Sequence, residues 1–167
     1  MSRRPLSPRH HGLVELVPWG NEHFDDLVRL ASDPRVVEYV GDGKPWSPDH
    51  AAERHQKALA HWAEHGFGWC AALERGAFVG LGSMVDHGDG VIEIGWWVDP
   101  EHWGRGIATA IATELRDAAL ARVRRVVAGY VDGNGASERV MVKIGLRYDR
   151  SFRAAGRLQH VYALERA

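Results

Sequence analysis

The feature that most constrains this chain is a glycine turn, Gly104-Arg105-Gly106, between an apolar segment and a long amphipathic one. Over residues 107–119, isoleucine, leucine and alanine recur at steps of three and four, which predicts an α-helix with one buried face. The residues that lead into this helix, Trp103 to Gly106, offer no Ser, Thr, Asp or Asn side chain to its first N–H groups. Because a helix N-terminus also carries about half a positive charge, the sequence predicts an anion site here.

Two well-known glycine-rich phosphate loops do not fit this turn. A Walker loop ends in Gly-Lys-Ser/Thr, whereas this turn continues as Gly106-Ile107-Ala108. The dinucleotide fingerprint needs a third glycine at position 109, where Thr109 stands. These differences argue against a nucleoside triphosphatase and a simple dinucleotide enzyme. A tight strand-to-helix turn that binds no ligand is the alternative to an anion site.

The first part of the chain predicts helices with recognisable end signals. After a first strand at residues 13–17, the pattern predicts a helix at residues 21–33, a short second helix or turn at 36–40 and a third helix at 47–65. Asn21 is expected to cap the first of them, while Ser47 and Gly66 mark the two ends of the third. Residues 1–11 are polar and basic and predict a flexible N-terminal tail.

The second part of the chain predicts a sheet. Strand-like segments at residues 67–73, 78–85 and 91–98 are joined by short turns, as in an antiparallel meander. A strand at 126–131 follows the glycine-turn helix, an order that places a parallel neighbour through a crossover. A helix at 135–145 and strands at 146–149 and 158–164 complete the chain. We therefore expect one α/β domain over residues 1–167, with a mixed, mostly antiparallel sheet of six or seven strands.

Composition excludes several classes of function. The 21 Lys and Arg residues nearly balance the 22 Asp and Glu residues, so no general basic field favours nucleic acid or a membrane surface. The single cysteine, Cys70, excludes an internal disulfide and any zinc site built from several thiolates. No apolar run approaches the roughly 20 residues that span a bilayer. We expect a cytoplasmic protein without a metal.

Three stretches carry a resemblance to a known family. "PEHWGRGIAT" is similar to the acyl-CoA-binding turn of the GNAT superfamily of N-acyltransferases, of the form Gln/Arg-x-x-Gly-x-Gly/Ala, with Trp103 in place of the first residue. "IEIGWWVDPEHWGRG" and "NGASERVMVKIGL" resemble the branch that acetylates the N-termini of ribosomal proteins (RimJ/RimL-like). The resemblance extends over about residues 10–165.

The resemblance implies a fold and a cosubstrate. In this family two neighbouring strands splay apart, and the pantetheine arm of acetyl-CoA lies between them, here beside Trp97 and Val98. Backbone N–H groups of the glycine turn hold the pyrophosphate, while Asn134 and Ser137 contact the arm. The cofactor-binding residues expected from the resemblance are Trp97, Val98, Trp103, Gly104, Arg105, Gly106, Ile107, Ala108, Thr109, Asn134 and Ser137.

The resemblance also implies acetyl transfer to a primary amine by direct attack. The amine must first lose a proton, and Glu93 is the expected base, because strand alternation places it on one face with Gly95 and Trp97. The alternative for Glu93 is an exposed strand carboxylate. Ser137 and Tyr130 are the two candidates for returning a proton to the departing thiolate. Asn134 has a second interpretation as a helix cap.

The identity of the acceptor is left open by the sequence. A protein N-terminal α-amine and the amine of a small molecule present the same nucleophile, and Tyr39 with its neighbourhood is the expected substrate mouth. A homodimer is compatible with the sequence, and so is a donor longer than acetyl. A non-catalytic acyl-CoA-binding sensor on the same fold is the alternative function.

Overall fold

Seven strands form one open sheet in the computed structural model, which describes residues 13–167. The predicted tail at residues 1–11 lies outside the described residues. The strands are β1 (Glu15–Pro18), β2 (Cys70–Glu74), β3 (Ala77–Gly88), β4 (Val91–Val98), β5 (Arg125–Val131), β6 (Arg147–Ala154) and β7 (Arg157–Glu165). They lie in the order β1-β2-β3-β4-β5-β7-β6.

The pairing of the strands confirms the predicted mixed sheet. β1 to β4 form the antiparallel meander, and β7 pairs antiparallel with both β5 and β6. Among the described strands, only β4 and β5 run parallel. The helix between them makes the crossover that a parallel pair requires.

The described residues contain five α-helices. They are α1 (Phe24–Ala31), α2 (Pro34–Val37), α3 (Pro48–His65), α4 (Ile107–Leu120) and α5 (Gly135–Lys143). The ends of α3 are those predicted: the side chain of Ser47 accepts from the N–H of His50, and Gly66 ends the helix at φ 72°. The boundaries of β4 also match the prediction.

The predicted cap of the first helix is wrong. Residues Asn21–His23 form a 3₁₀ turn after Gly20, and α1 starts at Phe24 without a side-chain cap. The amide oxygen of Asn21 instead accepts from Nε2 of His55, 2.9 Å away on α3. A long-range hydrogen bond has therefore taken the side chain that the local pattern assigned to the cap.

Two apolar clusters lie on the two faces of the sheet. One lies between the sheet and α4, where Ile92 and Ile94 pack with Ile111 and Leu115. The other includes Leu27 and Leu30 of α1, with Trp97 packed against it. These contacts confirm the predicted alternation along β4, which places Ile92 and Ile94 on one face and Trp97 on the other.

Cys70 is fully buried in β2. Burial raises the pKa of its thiol to about 12, so the reactive thiolate is not populated at neutral pH. Within residues 13–167, no group of His, Cys, Asp and Glu side chains is placed to hold a metal ion. In the same range, no helix is both long and apolar enough to cross a bilayer.

Candidate active site

The parallel strands β4 and β5 separate after a short contact. They pair at Val91, Ile92 and Glu93 of β4, opposite Arg125, Val126 and Val127 of β5, and residues 94–98 continue without a β5 partner. A cavity of about 610 Å³ opens where the strands diverge. The splay that the resemblance implies is therefore present, and the volume of the cavity lies in the range of small-molecule sites.

The cavity gathers most of the predicted site residues. All the expected cofactor-binding residues line it except Arg105. Of the three expected catalytic residues, Tyr130 and Ser137 line it and Glu93 does not. The structure thus brings together residues from β4, β5, α4 and α5 that lie far apart in the sequence. Their roles in binding and catalysis stay predictions.

The glycine turn has the geometry that glycine permits. Gly104 and Gly106 have φ values of 75° and 80°, in the left-handed region that side chains disfavour. Gly106 occupies the N-cap position of α4, and no side chain there accepts from the first turn. No acidic residue lies in that turn either. The α4 N-terminus therefore faces the cavity with uncapped N–H groups and the positive end of its dipole.

Trp103 fastens this turn to the end of β4. Its indole N–H donates to the carbonyl oxygen of Val98 over 2.9 Å, although half of the residue is exposed. Upstream, Asp99 accepts from the N–H of Glu101 at 3.1 Å and from Arg29 of α1 at 2.7 Å. The sequence did not predict the 3₁₀ turn Pro100–His102 that Asp99 caps. These contacts fix the distance between the turn and the splayed strand.

The side chain of Arg105 points away from the cavity. Its Nη2 lies 2.8 Å from both carboxylate oxygens of Glu74 on β2, and its Nη1 lies 3.0 Å from Nδ1 of His102. The hydrogen bond from Arg105 lowers the pKa of Glu74 and stabilises its charged form. At this turn only the backbone of Arg105 is available to an anion in the cavity.

Asn134 and Ser137 form a small network at the start of α5. The amide oxygen of Asn134 accepts from the N–H of Ser137 at 3.3 Å, and its amide nitrogen donates to Oγ of Ser137 at 3.0 Å. The helix-cap interpretation of Asn134 is therefore confirmed. Because the serine oxygen accepts from Asn134, its own hydrogen is free to donate to a group in the cavity.

Tyr130 presents a protonated phenol to the same cavity. The residue is 9% exposed, and its ring lies 5.7 Å from that of Tyr162 between centroids. Burial, with the nearby Tyr162 hydroxyl, raises the pKa of Tyr130 well above its usual value. At neutral pH this side chain stays protonated, so it can donate a hydrogen bond but cannot serve as a base.

Glu93 lies outside the cavity lining. Its Oε2 is 2.9 Å from Nε2 of His87, and its side chain is 45% exposed. This geometry corresponds to the exposed-carboxylate alternative. A role for Glu93 as base stays a prediction that requires a water molecule between its carboxylate and the cavity.

One wall of the cavity was only partly predicted. Arg35, Val36, Glu38, Tyr39 and Val40, from the end of α2 and the residues after it, line the cavity, and Glu38, an exposed residue, is the acidic residue among those that line it. Arg157 holds this segment by donating to the carbonyl oxygens of Glu38 at 2.8 Å and Gly41 at 3.1 Å. The expected substrate mouth at Tyr39 does line the cavity. No local sequence pattern indicated that Glu38 lines the cavity, because its position depends on the distant Arg157.

Comparison with known protein families identifies the domain type. A sequence model described as acetyltransferase (GNAT) domain matches residues 14–147. A curated relative, FsC-acetyl coenzyme A-N(2)-transacetylase of Aspergillus fumigatus, is 29% identical over 155 residues. That alignment covers 86% of this chain and 66% of the relative, so the chain spans less than two thirds of the relative's length.

Solved structures show the same fold. An acetyltransferase from Agrobacterium tumefaciens is 23% identical, with a TM-score of 0.81, and the alignment covers 99% of this chain and 98% of that one. RimL, a ribosomal L7/L12 alpha-N-protein acetyltransferase solved with coenzyme A, is 17% identical at a TM-score of 0.80. The alignment with RimL covers 95% of this chain and 97% of RimL.

Proposed function

The chain belongs to the GNAT acetyltransferase family, and on that premise we propose that it transfers an acetyl group from acetyl-CoA to a primary amine by direct attack. The observation that carries this proposal is the position of the uncapped α4 N-terminus beside the splay of β4 and β5. One cavity thus offers backbone donors for a pyrophosphate and a slot for the arm that carries the thioester.

The donor end of the reaction follows from this arrangement. The pyrophosphate lies on the N–H groups at the start of α4, and the pantetheine arm extends along the free edge of β4 toward Trp97 and Val98. A backbone N–H of that edge faces the thioester oxygen, where negative charge develops as the amine attacks. Gly95 lines the slot without a side chain that would narrow it.

Proton transfers require a base for the amine and an acid for the thiolate. An α-amine has a pKa near ~8 and a lysine near ~10.4, so most of either is protonated at neutral pH. Glu38 lines the cavity and is our candidate for a direct base, while Glu93 can act only through water. Ser137 returns a proton to the departing thiolate, and Tyr130 is the second donor within the cavity.

The names of two similar proteins support nitrogen as the acceptor atom. The Aspergillus relative is named an N(2)-transacetylase, and RimL is named an alpha-N-protein acetyltransferase. We propose an acceptor from the same range, either a protein N-terminal α-amine or a small-molecule amine. The single cysteine and near-neutral charge support action in the cytoplasm.

A thiol-release assay tests the proposal. The full chain is incubated with acetyl-CoA and a panel of peptides and small amines, and free CoA is measured against a no-amine control. Amine-dependent CoA release with acetylated product is the expected result. If CoA binds and no amine in the panel is acetylated, the non-catalytic sensor alternative replaces the enzyme.

A further inference from the structure

A serine, a histidine and an aspartate form a hydrogen-bonded row outside the cavity. Oγ of Ser151 lies 2.7 Å from Nδ1 of His160, and Nε2 of His160 lies 2.8 Å from Oδ1 of Asp132. Strand pairing brings these residues together. Ser151 on β6 is paired with His160 on β7, and His160 is also paired with Tyr130 on β5, two residues before Asp132. None of the three members of the row lines the cavity of the proposed acetyl transfer.

The positions of the protons in the row follow from the chemistry of its ends. A carboxylate can only accept, so the neutral imidazole carries its hydrogen on Nε2 and donates it to Asp132. Nδ1 then carries a lone pair and accepts a hydrogen bond from the Ser151 hydroxyl. The Tyr148 hydroxyl, 3.0 Å from Oγ of Ser151, donates to the serine in turn. The serine is thus hydrogen-bonded to a base that a carboxylate orients, the arrangement that activates a hydroxyl nucleophile.

The row is both held in place and accessible. The ring of Tyr130 packs on the imidazole with 5.1 Å between centroids, and the His160 side chain is only 18% exposed. Ser151 is exposed on β6, the outermost strand at that edge of the sheet. Arg153, two residues along the strand, lies on the same face as Ser151. A small reagent can therefore reach the serine beside a positive charge.

We propose that Ser151 is a nucleophile that takes the acyl group from small activated esters, with His160 as its base and Asp132 as the group that orients the imidazole. Oγ bonds to the ester carbonyl carbon, the serine proton passes to Nδ1 of His160, and the bond to the leaving alkoxide or aryloxide breaks. The imidazolium then loses its proton to solvent. In the second half, water attacks the acyl-serine with His160 as base, and Oγ leaves with the proton, releasing the acid.

The test uses 4-nitrophenyl acetate with the full-length chain in the absence of CoA. Release of 4-nitrophenolate is followed over time, and peptide mapping by mass spectrometry locates the acetyl group. Ser151→Ala, His160→Gln and Asp132→Asn are compared with the wild-type chain, and thermal denaturation checks that each is folded. Ser32→Ala is the matched control, because Ser32 is an exposed serine that donates to the carbonyl of Arg29 and has no histidine partner.

The expected result is an acetyl group on Ser151. We expect its rate of formation to fall about a hundredfold in His160→Gln and about tenfold in Asp132→Asn. Ser32→Ala leaves the rate unchanged, and Ser151→Ala retains acetyl-CoA-dependent amine acetylation. Acetyl found only on other residues, such as Ser137 or Tyr148, overturns the proposal. Equal acylation of Ser151 in the wild-type chain and in folded His160→Gln overturns it too.

Discussion

Asn134 donates an amide hydrogen to Oγ of Ser137 over 3.0 Å, which leaves the serine hydroxyl hydrogen for a partner in the cavity. If Ser137 protonates the departing thiolate, Ser137→Ala lowers kcat about a hundredfold, while the KM for acetyl-CoA changes by less than about threefold. Steady-state kinetics measure both. The exposed Ser32→Ala is the control and keeps wild-type kinetics. If kcat is unchanged in Ser137→Ala, Tyr130 is the group that protonates the thiolate, and Tyr130→Phe then lowers kcat.

Matched substitutions distinguish the roles of the two carboxylates that are proposed as bases. Glu38 lines the cavity, whereas Glu93 is hydrogen-bonded to His87 outside it. Glu38→Gln is expected to lower kcat/KM for the amine about a hundredfold, and Glu93→Gln by less than about tenfold. The loss in Glu38→Gln shrinks as pH rises, because more of the amine is then already neutral. A larger loss in Glu93→Gln contradicts the assignment of Glu38 and supports the base expected from the sequence.

Arg105 is expected to contribute little to CoA binding. Its guanidinium is bound to both oxygens of Glu74, so the pyrophosphate meets backbone groups instead. Arg105→Ala should therefore weaken CoA binding by less than about threefold in a calorimetric titration. A loss of tenfold or more means that the side chain leaves Glu74 when CoA binds.

His55 makes stability depend on pH. It is buried, its Nδ1 accepts from the indole N–H of Trp19 at 2.9 Å, and burial lowers its pKa below the usual value. The unfolded chain therefore binds a proton at this residue that the folded chain does not. Stability from this group is present above about pH 6.5 and is lost as pH falls toward the lowered pKa.

Urea denaturation at a series of pH values measures this effect. Between about pH 7 and about pH 5, the free energy of unfolding of the wild-type chain should fall more steeply than that of His55→Gln. The variant need not match the wild-type stability, because only the slopes are compared. Parallel curves for the two proteins contradict the effect of burial on His55.

Local signals predicted the elements that frame the site, and long-range contacts decided the rest. Ser47 and Gly66 mark the ends of α3, and the missing cap before Ile107 marks the start of α4, because those signals depend on neighbouring residues alone. The partner of Arg105 is 31 residues away in sequence, and Arg157 is more than 100 residues from the segment it holds. No local pattern contains such pairs. For the same reason, strand alternation suggested Glu93 as the base, and no local pattern indicated that Glu38 lines the cavity.

The central claim, that the uncapped start of α4 holds the pyrophosphate of CoA, is tested most directly by calorimetric titration of CoA into a matched pair of glycine variants. Gly106 and Gly156 have φ values of 80° and 73°, and a Cβ at either position meets no other atom within 4 Å. Leucine therefore imposes similar backbone strain at both sites, about 1–2 kcal/mol, but only at Gly106 does it enter the space of the anion. We predict that CoA binds the wild-type chain and Gly156→Leu alike, and Gly106→Leu at least about a hundredfold more weakly. Absence of CoA binding to the wild-type chain, or equal affinity in the two variants, contradicts the account.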